Sequence, residues 1–115
     1  MSENPSLFTR IVAREIPAEI LFENERIIAI RDINPQAPVH FLVIPKVEHP
    51  TVVELAAADP GLLAETVAIA KQLANEYSNG EFRLVFNTGE SAGQTIFHAH
   101  AHVLSGTLEE GTLGQ

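Results

Sequence analysis

His98-Ala99-His100-Ala101-His102-Val103-Leu104 alternates imidazole with small or aliphatic side chains. Successive side chains of a β-strand point to opposite faces. The alternation therefore puts His98, His100 and His102 on one face, and Ala99, Ala101 and Val103 on the other. The apolar set marks a face packed on a core. A solvated strand face carries Thr, Lys, Glu or Arg in preference to three imidazoles. Imidazole can act as nucleophile, proton carrier or metal ligand near neutral pH. The stretch is thus read as a core strand that also bears a working site.

Three readings compete for these histidines. The first is a decorated strand face with no chemistry. The second is a metal site, because His-x-His on one strand can supply two ligands. Alternate strand residues lie ~6.5–7 Å apart, which separates His98 and His102 by ~13 Å at the backbone. A zinc ion takes each nitrogen at ~2.0–2.1 Å, so three such side chains converge on one ion with difficulty. The third reading gives the imidazoles different roles along one phosphate-bearing ligand, and spacing favours it.

Composition narrows the choice of ligand. The chain has 115 residues, 45% of them apolar, enough for one domain with its own core. No apolar run approaches the ~18 residues of a membrane span. Met1-Ser2-Glu3-Asn4-Pro5 does not resemble a secretory leader, and a cytoplasmic location is expected. Without cysteine there is no disulfide framework, thiolate cage or thiol nucleophile. Fifteen acidic residues against seven basic ones give a net charge of −8. That argues against polymeric nucleic acid, whose binding rests on a basic face. A small anionic ligand stays open, because backbone N–H groups and nearby imidazole can hold a single phosphate.

Upstream of the histidines, Thr88–Thr95 forms a glycine-bearing loop, and Phe82–Asn87 reads as a strand. Asp59-Pro60 is a strong helix start, an N-cap followed by Pro at the first helical position. Leu62, Leu63, Val67, Ala70, Leu73, Ala74 and Tyr77 recur at helical spacing until Asn79-Gly80. His40–Pro45 reads as a central strand, and Ile20–Phe22 and Arg26–Arg31 as two more. Two prolines make Asp32–Pro38 a loop. Ser6 caps a short helix carrying Leu7, Phe8, Ile11 and Val12. The expected fold is α+β, a five-stranded, mainly antiparallel sheet with one long and one short helix. A single domain spans 1–115, with its core over about 6–106 and a weakly ordered tail over 107–115.

Gly89 and Gly93 could turn N–H groups inward around an anion, although glycine loops usually just make turns. Gln94 and Thr95 add an amide and a hydroxyl there, and Asn87 ends the preceding strand. His40 opens the third strand and, as a lone histidine, reads more often as a structural residue. Asp32 caps a turn or accepts the two hydroxyls of a ribose. Lys46 and His49 read as surface residues. No Ser/His/Asp arrangement and no GxxxxGK[ST] loop is present. The implied reaction is attack by a neutral imidazole at phosphorus, with its neighbours protonating the leaving group.

Gly93–Leu104 resembles the signature of the histidine triad family, His-φ-His-φ-His-φ-φ with φ apolar. Asp32–Lys46 and Asn87-Thr88-Gly89 resemble further blocks of its nucleotide-binding branch, so the likeness covers roughly 6–106. The resemblance implies a two-fold homodimer whose sheets join, and a purine nucleotide hydrolase acting on phosphoramidates of AMP or GMP. It implies His100 as nucleophile, His98 and His102 flanking it at the α-phosphate, and His40 assisting proton movement or orientation. Asp32 would hold the ribose. Asn87, Gly93, Gln94 and Thr95 would meet phosphate or leaving group, and Ile27 and Ile30 would wall the base. No metal or cofactor is implied for this chemistry. The partners implied are a purine nucleotide or phosphoramidate and a second copy of the chain, with no polymeric nucleic acid and no membrane.

The chain also departs from the family. Many members carry Cys-x-x-Cys in a structural zinc site where this chain has Ser6 and Thr9, so that site is expected to be absent although His49 remains. Thr95 replaces the usual serine, and the tail lacks the common tryptophan and prolines. A third His, at His102, points away from the nucleotidyltransferase branch. An intact triad equally suits a nucleotide-binding sensor whose hydrolysis is incidental, and a metal-dependent hydrolase would be sensitive to chelators.

Overall fold

The apolar run Val39–Pro45 forms the central strand β3, and all but its first residue are buried. The sheet grows from it on both sides. β2 (Ile27–Arg31) and β1 (Ile20–Glu23) pair on one side, β5 (Ala101–Ser105) and β4 (Arg83–Val85) on the other. The order is β1-β2-β3-β5-β4 and every pairing is antiparallel. The computed structural model describes residues 5–109. The tail expectation for 107–115 therefore lies mostly outside the described residues.

Strand alternation divides the core into two clusters. Ile27, Ala29, Phe41, Val43, Ala99, Ala101 and Val103 face the long helix α3 (Pro60–Tyr77), which buries Leu62, Ile69, Ala70 and Leu73 against them. Ile28, Ile30, Leu42 and Ile44 face the other way, toward Phe8 and Ile11 of the short helix α1 (Leu7–Val12). α3 starts as expected, with the Asp59 side chain accepting from Leu62 N–H at 3.0 Å and Pro60 at its first position.

Three expectations need correction. A further helix, α2 (Val52–Ala58), precedes α3. Thr51 and Glu54 form a reciprocal capping box at its start. β4 is shorter than Phe82–Asn87. β5 begins at Ala101, not Phe97, so His98 and His100 lie before the paired strand. The register would next place Pro45 opposite Ala99, and proline has no N–H for the ladder. The Ala99 amide instead donates to the His49 carbonyl at 2.7 Å, in the loop after β3. The alternation of faces persists nonetheless, since Ala99 still packs in the α3-side core.

Candidate active site

β3 and β5 set Leu42 opposite His102 and His40 opposite Leu104. His40 and His102 are thus diagonal neighbours on the α1 side of the sheet. His40 Nε2 lies 3.1 Å from His102 Nδ1 and 3.3 Å from Asp32 Oδ2. The Gln36 amide donates to His40 Nδ1 at 3.0 Å. A backbone N–H can only donate, so neutral His40 carries its proton on Nε2, shared between His102 and Asp32. His102 Nδ1 then accepts, and its own proton sits on Nε2.

A second chain of bonds fixes the other two histidines. His98 is fully buried, its Nε2 2.6 Å from the Pro45 carbonyl and its Nδ1 2.5 Å from Ser6 Oγ. A carbonyl only accepts, so His98 Nε2 carries the proton and Nδ1 accepts from Ser6. His100 Nδ1 donates to the His98 carbonyl at 2.8 Å. That bond leaves the lone pair of His100 on Nε2. Phe8 of α1 sets its ring edge-on to both, with centroids 5.7 Å from His98 and 4.8 Å from His100. His100 and His102 rings follow at 5.1 Å.

Burial is the main cause that holds all four imidazoles below their ordinary pKa. His102 falls to about 4, because burial is reinforced by its positively charging neighbours His100 and His40. The four imidazoles are therefore neutral at pH 7, and His100 Nε2 carries a lone pair. A stability consequence follows. Between about pH 6.5 and 4 the unfolded His102 binds a proton that the folded one does not. Stability is fully present above that window and falls as pH drops through it, by about 3 kcal/mol from this group. Urea midpoints at pH 7 and pH 4.5 read this, and His102→Gln should shrink the difference, leaving the part due to His40, His98 and His100. Equal differences in both proteins would reject the assignment.

A cavity of about 400 Å³ opens beside these rings. Its lining combines apolar Leu7, Phe8, Ile11, Ile30, Leu42 and Ile96 with polar Asp32, Asn34, Asn87, Thr95, His100 and His102. The size and the mixed lining suit a small ligand that carries both an apolar and a charged group.

The cavity gathers Asp32, Asn87, Gly93, Thr95, Ile30, His100 and His102 from the expected residues, with His40 directly behind His102. Three others lie elsewhere. Ile27 is sealed on the opposite face under α3, since an odd separation from Ile30 puts the two on opposite sides of β2. Gln94 is buried and engaged within the protein. It donates to the Pro50 and Ile96 carbonyls at 2.7 and 3.1 Å and accepts from Gly89 N–H at 2.9 Å. His98 has both ring nitrogens engaged, so it can orient His100 but offers no nitrogen to a ligand. The Gly89–Gly93 loop is no open anion nest either. The amides of Ala92, Gly93 and Gln94 bond back to Gly89 and Glu90 carbonyls, and Gly93, with Thr95 just beyond it, lines the cavity. Sequence reasoning missed Leu7, Phe8 and Ile11 as cavity walls, and Gln36 as the partner of His40.

Among the described residues, Asp32, His40 and His102 are also the one set whose donor atoms lie close enough to close on a metal ion, within 4.8 Å. The same three side chains also meet at the His40 Nε2 proton. The structural zinc site of many triad proteins is a separate question, and Ser6 and Thr9 do not fit it. Zinc takes thiolate, imidazole or carboxylate. Both hydroxyls are neutral and hold hydrogen bonds, Ser6 to His98 and Thr9 to Glu48.

Residues 13–108 match the HIT domain. The chain belongs to the HIT domain family. A purine nucleoside phosphoramidase of Escherichia coli is 37% identical over 103 residues, covering 88% of this chain and 87% of that protein. An uncharacterized HIT-like protein of Synechocystis sp. is 44% identical, covering 88% and 90%. The crystal structure of a HIT family hydrolase from Legionella pneumophila superposes with a TM-score of 0.85 at 42% identity, covering 90% of this chain and 95% of that one. The HIT match begins after α1, so Leu7, Phe8 and the Ser6 cap lie ahead of it. Among the described residues no helix of this HIT domain is long and apolar enough to cross a membrane.

Proposed function

We propose that this HIT domain hydrolyses nucleoside 5'-phosphoramidates, cleaving the P–N bond between an amine and AMP or GMP. The observation that carries this reading is the His100 Nδ1 bond to the His98 carbonyl, which leaves Nε2 of this cavity-lining ring unprotonated. In the first step the Nε2 lone pair bonds to the α-phosphorus as the P–N bond breaks. The amine leaves with a proton, for which His102 Nε2–H is the nearby donor, recharged through His40. Water then attacks phosphorus and gives up its proton to restore the His102–His40 pair, the bond to His100 breaks, and the nucleoside monophosphate is released. Asp32 takes the ribose hydroxyls and the apolar side chains take the base. The phosphoramidase and hydrolase relatives support the assignment. The same reading includes a two-fold dimer in which the sheets of two copies join into one.

The test is release of a fluorescent amine from its AMP phosphoramidate in the presence of EDTA. Turnover that survives the chelator is expected, and its loss would move the chemistry to a metal. AMP binding without any turnover would make the chain a binding module. Asp32→Asn is expected to weaken AMP about tenfold while changing 2',3'-dideoxy-AMP little, as loss of a charged hydrogen-bond acceptor implies. Equal losses on both ligands would remove Asp32 from the ribose.

A further inference from the structure

Glu48 lies in the loop after β3, forty-two residues from Ser6 in sequence, and joins the start of α1 to the histidines. Its Oε1 accepts the Ser6 amide at 2.7 Å and the Thr9 hydroxyl at 2.5 Å. The Ser6 side chain accepts the Thr9 amide at 3.0 Å as helix cap and donates to His98 Nδ1. His98 Nδ1 itself lies 4.0 Å from the same Glu48 oxygen. Thr9 and Ser6 hold the Glu48 carboxyl below the usual range, with burial opposing them weakly. The positions that do not suit zinc are therefore filled by a hydrogen-bonded brace.

Two parts of the site depend on that brace. α1 is six residues long, too short to hold its place alone, and it supplies Leu7, Phe8 and Ile11 to the cavity wall. His98, fixed at Nδ1 by Ser6, holds out the carbonyl that keeps the His100 proton on Nδ1. We infer that Glu48 is a positioning residue for the nucleophile: through Ser6 and Thr9 it docks α1 as the cavity wall and fixes His98, and hence His100. The inference rests on the proposed hydrolysis for its kinetic readout alone.

Both bonds to Glu48 reach one oxygen, and this makes a sharp test. Glu48→Gln keeps an acceptor oxygen there, whereas Glu48→Ala removes it. The measurements are kcat and KM on the AMP phosphoramidate, AMP affinity, and ¹⁵N chemical shifts of the histidine rings in the full-length protein. Glu48→Ala is expected to lower kcat/KM about tenfold, the loss of a partly buried hydrogen-bonding partner. It should also weaken AMP and shift the His98 Nδ1 resonance. Glu48→Gln should stay within about threefold of wild type with wild-type ring shifts. Ser6→Ala, which spares the Glu48 bond to the backbone, should shift His98 Nδ1 and lower kcat more than AMP affinity. Should Glu48→Ala not fold, Ser6→Ala and Glu48→Gln still decide the matter. Gln behaving like Ala, or ring shifts unmoved in Ser6→Ala, would overturn the brace. An inactive wild type would defeat the hydrolase reading instead, leaving AMP affinity and the ring shifts to judge Glu48.

Discussion

Replacing His100 by alanine is expected to abolish phosphoramidate turnover, by on the order of 10⁴-fold or more, while AMP still binds. The expectation follows from what each imidazole has left to offer. His98 has no open nitrogen, and His40 has its Nδ1 held by Gln36 and its Nε2 facing His102 and Asp32. His102 carries its remaining proton on Nε2 and can donate there, not attack. Among the four imidazoles, His100 alone keeps a ring nitrogen with an uncommitted lone pair, and its ring lines the cavity. Its ring is partly open to that cavity and packs edge-on against Phe8, so truncation leaves space that water fills. AMP affinity should change less than about tenfold, since the base and ribose ends are untouched. Rapid quench of wild type should trap nucleotide bound covalently to protein, and His100→Ala should trap none. Activity within tenfold of wild type would mean that water attacks phosphorus directly and that no covalent step exists.

The histidine strand was legible because period two survives where the ladder does not. His98 and His100 precede the paired part of β5, yet Ala99 stays in the core and the rings stay on one side. The same period contained a warning about Ile27 and Ile30. Three residues apart on one strand, they face opposite ways, and they cannot share a pocket. Thr51-x-x-Glu54 held the signature of α2 in the capping box, a local pattern that a pass for apolar periodicity overlooks. Asp32 was legible as the acid ending β2 before a proline loop. Gln94 was not: whether an amide faces a ligand or the Pro50 carbonyl depends on chain segments forty-four residues apart. Glu48 was out of reach for the same reason. A carboxylate in a polar loop looks solvated until folding brings Ser6 and Thr9 to it.

His98→Ala is expected to do the opposite of His100→Ala, damaging the fold more than any exposed step of the chemistry. The His98 ring is fully buried and both nitrogens are bonded, to Ser6 Oγ and to the Pro45 carbonyl. Truncation leaves that carbonyl without its donor and opens a cavity beneath Phe8, which packs edge-on against the lost ring. Together, the unmatched polar group and the cavity should cost about 3–4 kcal/mol. For a domain of this size that is a fall in Tm on the order of 10–15 °C. His100→Ala removes a partly exposed, cavity-lining ring with one hydrogen bond, to the His98 carbonyl, and should cost less, about 1–2 kcal/mol. Two histidines of one repeat are thus expected to separate, His98 by its effect on stability and His100 by its effect on turnover. Thermal melts of both variants at pH 7.5, above the window in which His102 takes up its proton, measure the difference directly. Equal melting temperatures would mean that the bonds at His98 are not what secures α1 and β5, and that Phe8 packing alone does so.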